Sequence, residues 1–551
     1  MMLTTSLAAL LAACATPAMA FLSMPKLRPP MLVDESFESM TERGVLDGRA
    51  ASVYKGQTTF QQLLDHKDPS QGTFSQRFWW STQYWGGPGS PVVFFTPGEE
   101  PATNYTGYLT NRTITGQFAQ AIGGAVVMLE HRYWGESSPF DDLTTKNMRF
   151  LTLANSIADV THFARTVELP FDTNGTSNAP TAPWVMSGGS YGGALAAYIE
   201  HVDPGTFWAY HASSAPVQVI EDFWQYFEPV IQGLPQNCSA DLQLVIPHID
   251  DVLANGTTAE IQALKDKFGL GTIEHSDDFV VALENGPWDW QESGFDADYS
   301  PVYEFCDYVE NSVASVFDSA TAGAEGVGLE KALDGYAKWT SEVLLPGNCE
   351  SYGYFSGELN TVCFETYNGS NPVFTDTRVD NPVGRQWTWI LCNEPFGFWQ
   401  DGAPDDMPTI VSRLSTKAYW ERQCALYFPT EDGYTYGQAS GATADKFNAY
   451  GGGWSVENRT RLIWTNGEFD PWKDATMSSE NRPGGPLVST SDQPVNVIPA
   501  GVHCSDLIYD NGLDNAGAMA VIQKEIAVIK AWVEEFYTAK NKAKRSQSFQ
   551  A

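Results

Sequence analysis

Positive charge is scarce in this chain. Its 551 residues hold 32 lysines and arginines against 67 aspartates and glutamates, a formal charge of −35. A surface of that sign repels nucleic-acid backbones and anionic membranes, so neither is an expected partner. The motifs of metal and nucleotide chemistry are missing too. There is no His-Glu-x-x-His, no Cys-x-x-Cys, no cluster of histidines, no Walker loop and no Gly-x-Gly-x-x-Gly set between a strand and a helix. No cofactor or metal is implied.

Apolar runs of the roughly 20 residues that span a bilayer are absent. The first twenty residues, MMLTTSLAALLAACATPAMA, join an apolar stretch from Leu7 to Cys14 to a small-x-small site at Ala18-Met19-Ala20. They predict a signal peptide, residues 1–20, cleaved after Ala20. A buried N-terminal helix and a lipoprotein box ending at Cys14 are the alternatives. Export also fits seven Asn-x-Ser/Thr sequons, at Asn104, Asn111, Asn174, Asn237, Asn255, Asn368 and Asn458. A secreted glycoprotein is expected, with a vacuolar or lysosomal one as the alternative.

Cysteine is sparse, and odd in number once Cys14 is removed. Seven remain, enough for three disulfides and one thiol. Proximity suggests Cys238 with Cys306, Cys349 with Cys363 and Cys392 with Cys424, leaving Cys504, although spacing does not fix connectivity.

What is present is a large apolar fraction, 43% hydrophobic and 13% aromatic, sufficient for a sizeable core. Short continuous apolar runs at 91–98, 125–132, 182–189, 208–216, 461–467 and 495–501 read as buried strands. Helical patterns over 153–168, 193–202 and 518–537 lie between or after them. This is a mostly parallel α/β sheet. Residues 21–216 form its first part, 217–385 a largely helical insertion, 386–539 its second part and 540–551 a polar, disordered tail.

Gly188-Gly189-Ser190-Tyr191-Gly192 follows a strand and opens a helix, the setting in which Gly-x-Ser-x-Gly exposes a serine hydroxyl on a sharp turn. A glycine-rich loop with no role is the plainer reading. A nucleophilic serine needs a base and an orienting acid, which follow it in that fold as acid, then histidine. Histidine is scarce where it counts: of eight, only His503 lies in the C-terminal half, just past the last predicted strand. The turn after the preceding strand offers Asp470, with Glu468 and Asp474 as competitors. Oxyanion donors are expected from the Tyr191 amide and from Gly98 or Glu99 in FFTPGEEP.

Four stretches taken in order, EHRYWGESSPF (130–140), GGSYGGALAAY, TNGEFDPW (465–472) and AGVHCSDL (500–507), resemble the serine peptidase family of lysosomal Pro-X carboxypeptidase and dipeptidyl peptidase II. The similarity is greatest to its secreted fungal acid prolyl endopeptidases. FQQLLDHKDPSQGTFSQRFWWS (60–81) and QWTWILCNEPFGFWQDGAP (386–404) extend it over nearly the whole mature chain. The resemblance implies an α/β-hydrolase fold with a helical cap, a Ser190-Asp470-His503 triad, and cleavage after proline at acidic pH. Peptides or proteins rich in proline are the implied substrates.

Flat aromatic walls suit a proline ring, which donates no amide hydrogen. Trp387, Trp389, Phe396, Phe398 and Trp399 are candidates for such walls, or are simply core. Glu99, Glu100 and Glu394 could bind the amine that a dipeptidyl peptidase requires. A Pro-X carboxypeptidase would instead need a cation or amides on the leaving side. An esterase or lipase on the same fold, and a non-catalytic binding protein on a decayed scaffold, are the readings from other classes.

Overall fold

Buried on both faces, a strand has no reason to alternate polar and apolar residues, and the central strands here do not alternate. Every residue of β3 (Val92–Phe95), β4 (Ala125–Leu129), β5 (Trp184–Gly189), β6 (Ala209–Ser213) and β7 (Leu462–Gly467) is buried. The edge strand β8 (Val495–Ile498) alternates instead. These are the six strands expected from the apolar runs, and they are mutually parallel. The computed structural model describes residues 28–35, 54–295, 300–310 and 323–548. The expected signal peptide lies outside the described residues.

Two further strands extend the sheet, β1 (Lys55–Leu63) and β2 (Thr73–Ser81), in the order β1-β2-β4-β3-β5-β6-β7-β8. Both run antiparallel to their neighbours. The apolar-run criterion misses them because their sequences, KGQTTFQQL and TFSQRFWWS, are largely polar. Helices cover both faces: Leu153–Thr166 and Tyr191–Val202 on one, Ile114–Ile122 and Ala516–Ser548 on the other. The last helix runs through the segment expected to be a disordered tail from Lys540, as far as Ser548. The reason is local, since the tail is rich in helix-forming lysine, alanine and glutamine and holds neither glycine nor proline.

Between β6 and β7 the chain is helical, and the helices continue past residue 385 through Lys417–Tyr427 and Ala444–Gly451. All three disulfides lie here: Cys238–Cys306, Cys349–Cys363 and Cys392–Cys424. Cys504 is free and buried. The start of the insertion pairs with a later segment of it around residue 398. Phe398 and Trp399 donate backbone hydrogen bonds to Ile220 and Glu221, and Phe223 donates one back to Trp399.

The EHRYWG stretch after β4 has a structural use. Arg132 is fully buried and donates to both carboxylate oxygens of Asp159 at 2.6 Å, and to the carbonyls of Leu63, Leu64 and Phe150. His66 approaches the same carboxylate at 2.8 Å. This ties β1, the segment after β4 and the helix Leu153–Thr166 together. Arg132→Met removes one partner of a buried pair, so urea unfolding should show a loss of about 3–5 kcal/mol.

Candidate active site

The carboxyl ends of β5, β6, β7 and β8 lie side by side, with Gly189 opposite Ser213, Ser213 opposite Thr465 and Gly467 opposite Ile498. Each of these ends delivers one part of the site. After β5 the backbone turns at Ser190 through φ 57° and ψ −126°, directly into the helix Tyr191–Val202. A non-glycine residue at positive φ is strained and survives where the surroundings fix it. Here the Ser190 amide donates to the Ser213 carbonyl at 2.9 Å. The turn also needs close approach, because a Cβ on Gly188 would fall 2.1 Å from the Gly192 carbonyl.

His503 Nε2 lies 2.8 Å from Ser190 Oγ, and His503 Nδ1 lies 2.9 Å from Asp470 Oδ1. Ser190 and Asp470 are fully buried and His503 nearly so. The second Asp470 oxygen accepts from Asn466 at 3.3 Å, and the Trp472 amide donates to the first at 3.0 Å. The competitors point elsewhere: Glu468 caps the Ala500 amide, and Asp474 bonds Ser479 and Asn481.

Burial alone would raise the Asp470 pKa, yet His503, Ser214 and the Trp472 amide hold it below the usual value. Burial likewise opposes charge on His503, but Cys504 and Asp470 push its pKa well above the ordinary imidazole value. Burial also pushes the Cys504 thiol up. A neutral thiol cannot supply that attraction, which leaves Asp470 as the working partner of His503.

Of the expected oxyanion donors, Tyr191 is the first residue of its helix, where amides have no acceptor within the helix. Gly98 has φ 80°, and a Cβ there would fall 2.8 Å from the Tyr191 ring. Glu99 follows it and is fully buried. Gly98 thus approaches the first turn of the helix that follows Ser190, where a Cβ on it would lie 3.6 Å from the Gly192 nitrogen.

The aromatic candidates divide. Trp387 and Phe396 stand against the Tyr191 ring, with centroids 5.9 and 6.1 Å away. Phe398 packs on Phe396 and on Trp472, two residues past Asp470. Trp389 points away, donating to the Leu151 carbonyl, and Trp399 stacks on Trp420 within the insertion. Glu394 accepts from the Leu153 amide at 3.0 Å and so caps a helix, its pKa raised by burial to about 7.

Sequence reasoning passed over Ser214. Its φ is 45°, its Oγ accepts from the Cys504 amide at 2.8 Å, and it hydrogen-bonds Asp470. The signal available was the serine pair in HASSAP at the end of a predicted strand. Below it lies a buried charge cluster, also missed: His211 Nε2 is 3.1 Å from Asp506 and 3.5 Å from Glu525. Burial disfavours a charged His211, but Glu525 and Asp506 outweigh it and raise the pKa to about 10. Asp506 also accepts from Ser213 Oγ at 2.5 Å. Three metal-ligating side chains meet here, with the imidazolium offsetting one carboxylate charge and burial raising the Glu525 pKa.

A serine, histidine and aspartate linked in this order at the strand ends of an α/β-hydrolase sheet define a serine hydrolase built for acyl transfer. The chain matches the family model described as Serine carboxypeptidase S28 over residues 62–278 and 338–524, and it belongs to that family of serine peptidases. Serine protease vicPb of Bipolaris victoriae (strain FI3) is 44% identical over 495 residues, 89% of this chain and 91% of that protein. A probable extracellular serine carboxypeptidase of Arthroderma benhamiae is 29% identical, covering 80% of this chain and 60% of its own. Lysosomal Pro-X carboxypeptidase of Pongo abelii is 24% identical, covering 88% of this chain and 89% of its own.

Ser214→Ala strips the buried Cys504 amide of its acceptor and Asp470 of one donor. Denaturation should show a loss of about 1–3 kcal/mol, and steady-state kinetics a roughly ten-fold fall in kcat.

Proposed function

We propose that this chain is a secreted serine peptidase that hydrolyses peptide bonds on the C-terminal side of proline, in the manner of a prolyl endopeptidase. The observation that carries the reading is the linked Ser190, His503 and Asp470 with an aromatic shell against it. Ser190 Oγ attacks the prolyl carbonyl as His503 Nε2 takes its proton. Asp470 holds the imidazole in the accepting tautomer and stabilises the imidazolium. The amides of Tyr191 and of Gly98 or Glu99 receive the oxyanion. The proton on His503 then passes to the departing amine, and water repeats the sequence on the acyl-enzyme. Trp387, Phe396 and Phe398 favour a flat ring beside Tyr191, and proline asks for no acceptor in return.

Secretion rests on the N-terminal sequence and the sequons. Asn111, Asn174, Asn255, Asn368 and Asn458 are exposed, as glycan attachment requires, whereas Asn104 and Asn237 are half-buried. No helix among the described residues is long and apolar enough to cross a membrane.

An acidic medium suits the proton balance of the fold. Burial raises Asp289 to about 8 and Asp401, beside Asp222, to about 9. The unfolded chain ionises such groups near 4, so between about 4 and 9 the folded state binds more protons and stability falls as pH rises. His211, raised to about 10, contributes stability that is complete below about 6.5 and is lost as pH rises from there through about 10. Melting temperature should therefore fall from pH 5 to pH 9, and a flat or rising profile would contradict this balance. His503 sets the opposite limit, since only the neutral imidazole accepts a proton. The quantity kcat/KM should fall as pH drops through its raised pKa, and this limb should move down in Asp470→Asn as kcat collapses.

Mass-spectrometric mapping of cuts in a proline-containing peptide blocked at both ends tests the reading. Internal cuts after proline are expected, and Ser190→Ala should reduce them at least about 10³-fold while keeping the fold. Cuts spread over other residues, or full activity in Ser190→Ala, would refute it.

A further inference from the structure

A metal motif is local in sequence, whereas a fold can gather ligands from segments far apart. It does so below the catalytic turn, where His211 on β6, Asp506 in the loop after His503 and Glu525 on the C-terminal helix meet, all three buried. One ligand atom from each, an imidazole nitrogen and two carboxylate oxygens, lies within 4.8 Å of the others. The outward atom of each side chain is held by a hydroxyl. His211 Nδ1 lies 2.9 Å from Ser187 Oγ, Asp506 Oδ1 accepts from Ser213 Oγ at 2.5 Å, and Glu525 Oε1 accepts from Thr465 Oγ1. The remaining atoms, His211 Nε2, Asp506 Oδ2 and Glu525 Oε2, make no hydrogen bond of good geometry among the described residues. One such atom buried this deeply is costly, and here three share one small space.

The separations discriminate between a proton and a larger ion at the centre. A charge-assisted N–H···O bond runs about 2.7–2.9 Å, whereas His211 Nε2 is 3.1 Å from Asp506 Oδ2 and 3.5 Å from Glu525 Oε1. Metal bonds of about 2.0–2.2 Å in tetrahedral geometry put neighbouring donors roughly 3.3–3.6 Å apart. The two observed distances straddle the lower end of that range. Hydrogen bonds that orient each ligand from behind are the usual outer layer of a metal site, and all three ligands have one. Charge agrees as well. A neutral imidazole and two carboxylates carry two negative charges, which a divalent cation cancels, whereas one imidazolium leaves a buried excess of one unless a further proton is taken up.

We propose that His211, Asp506 and Glu525 bind one divalent first-row cation of the zinc class, through Nε2 and the carboxylate oxygens, with both Glu525 oxygens on hand to complete four-fold coordination. The cation replaces the imidazole proton, which passes to solvent. Its place is structural, and no hydrolytic step is routed through it. It fastens the loop after His503 and the C-terminal helix to β6, the strand whose last carbonyl holds the Ser190 amide. Among the described residues one other trio of such donors lies this close, Cys238, Cys306 and Glu310, and its sulfurs are joined in a disulfide. One cation per chain is therefore expected.

The test is elemental analysis of the mature protein, made in zinc-supplemented medium and dialysed against EDTA at pH 7.5 so that only enclosed metal stays. The wild type should hold about one zinc per chain, and Asp506→Asn and Glu525→Gln, which preserve shape, should each hold at least about ten-fold less. Wild-type protein from zinc-depleted medium should melt about 3 °C or more below the zinc-replete protein, with no such difference in either variant. A wild type that carries no first-row cation from either medium overturns the proposal and leaves the cluster as an ion pair. So does metal that survives both substitutions, which then lies elsewhere. Should the variants fail to fold, cobalt supplied in place of zinc reads the wild type alone. Visible d–d absorption of a four-coordinate nitrogen–oxygen site should persist after the same dialysis, and its absence overturns the assignment.

Discussion

Ser190 holds its strained turn because its amide is tied to the end of the neighbouring strand. That bond, from Ser190 to the Ser213 carbonyl, fixes where the hydroxyl points, and the residue just past that strand fixes the rest. Ser214 takes the amide that follows His503 and bonds Asp470. The last position of β6 and the residue that follows it therefore locate all three members of the hydrogen-bonded chain, though neither is one of them. Orientation of this kind is what converts a weak nucleophile into a reactive one, because the geometry is arranged before substrate arrives.

Charge buried under the site keeps that strand end in place. His211 on β6 faces Asp506, three residues past His503, and Glu525 on the C-terminal helix. Such a group is expensive to bury and costly to break, so it favours one arrangement of β6, the histidine loop and the helix over near alternatives. Arg132 and Asp159 do the same on the other side of the sheet. The aromatic shell over Tyr191 and Trp472 adds a dry surround in which these interactions are stronger than in water.

The parallel core was legible because its strands are apolar throughout, and Ser190, Asp470 and His503 because strand ends and residue scarcity left few choices. The proximity pairing of six cysteines also agrees with the three disulfides. What escaped has a physical reason in each case. Polar β1 and β2 are strands by pairing rather than by pattern. Ser214, Asp506 and Glu525 are ordinary residues in sequence, made significant only when the fold brings distant segments together. Glu394 and Trp399 were plausible by chemistry alone, but one caps a helix and the other stacks inside the insertion.

The disulfides are distributed unevenly, with all three inside the helical insertion and none joining the strands that carry the reacting groups. Redox state and catalytic geometry are thereby uncoupled. A reducing medium would act on the helical segment between β6 and β7 and leave in place the backbone hydrogen bonds that join β5, β6 and β7.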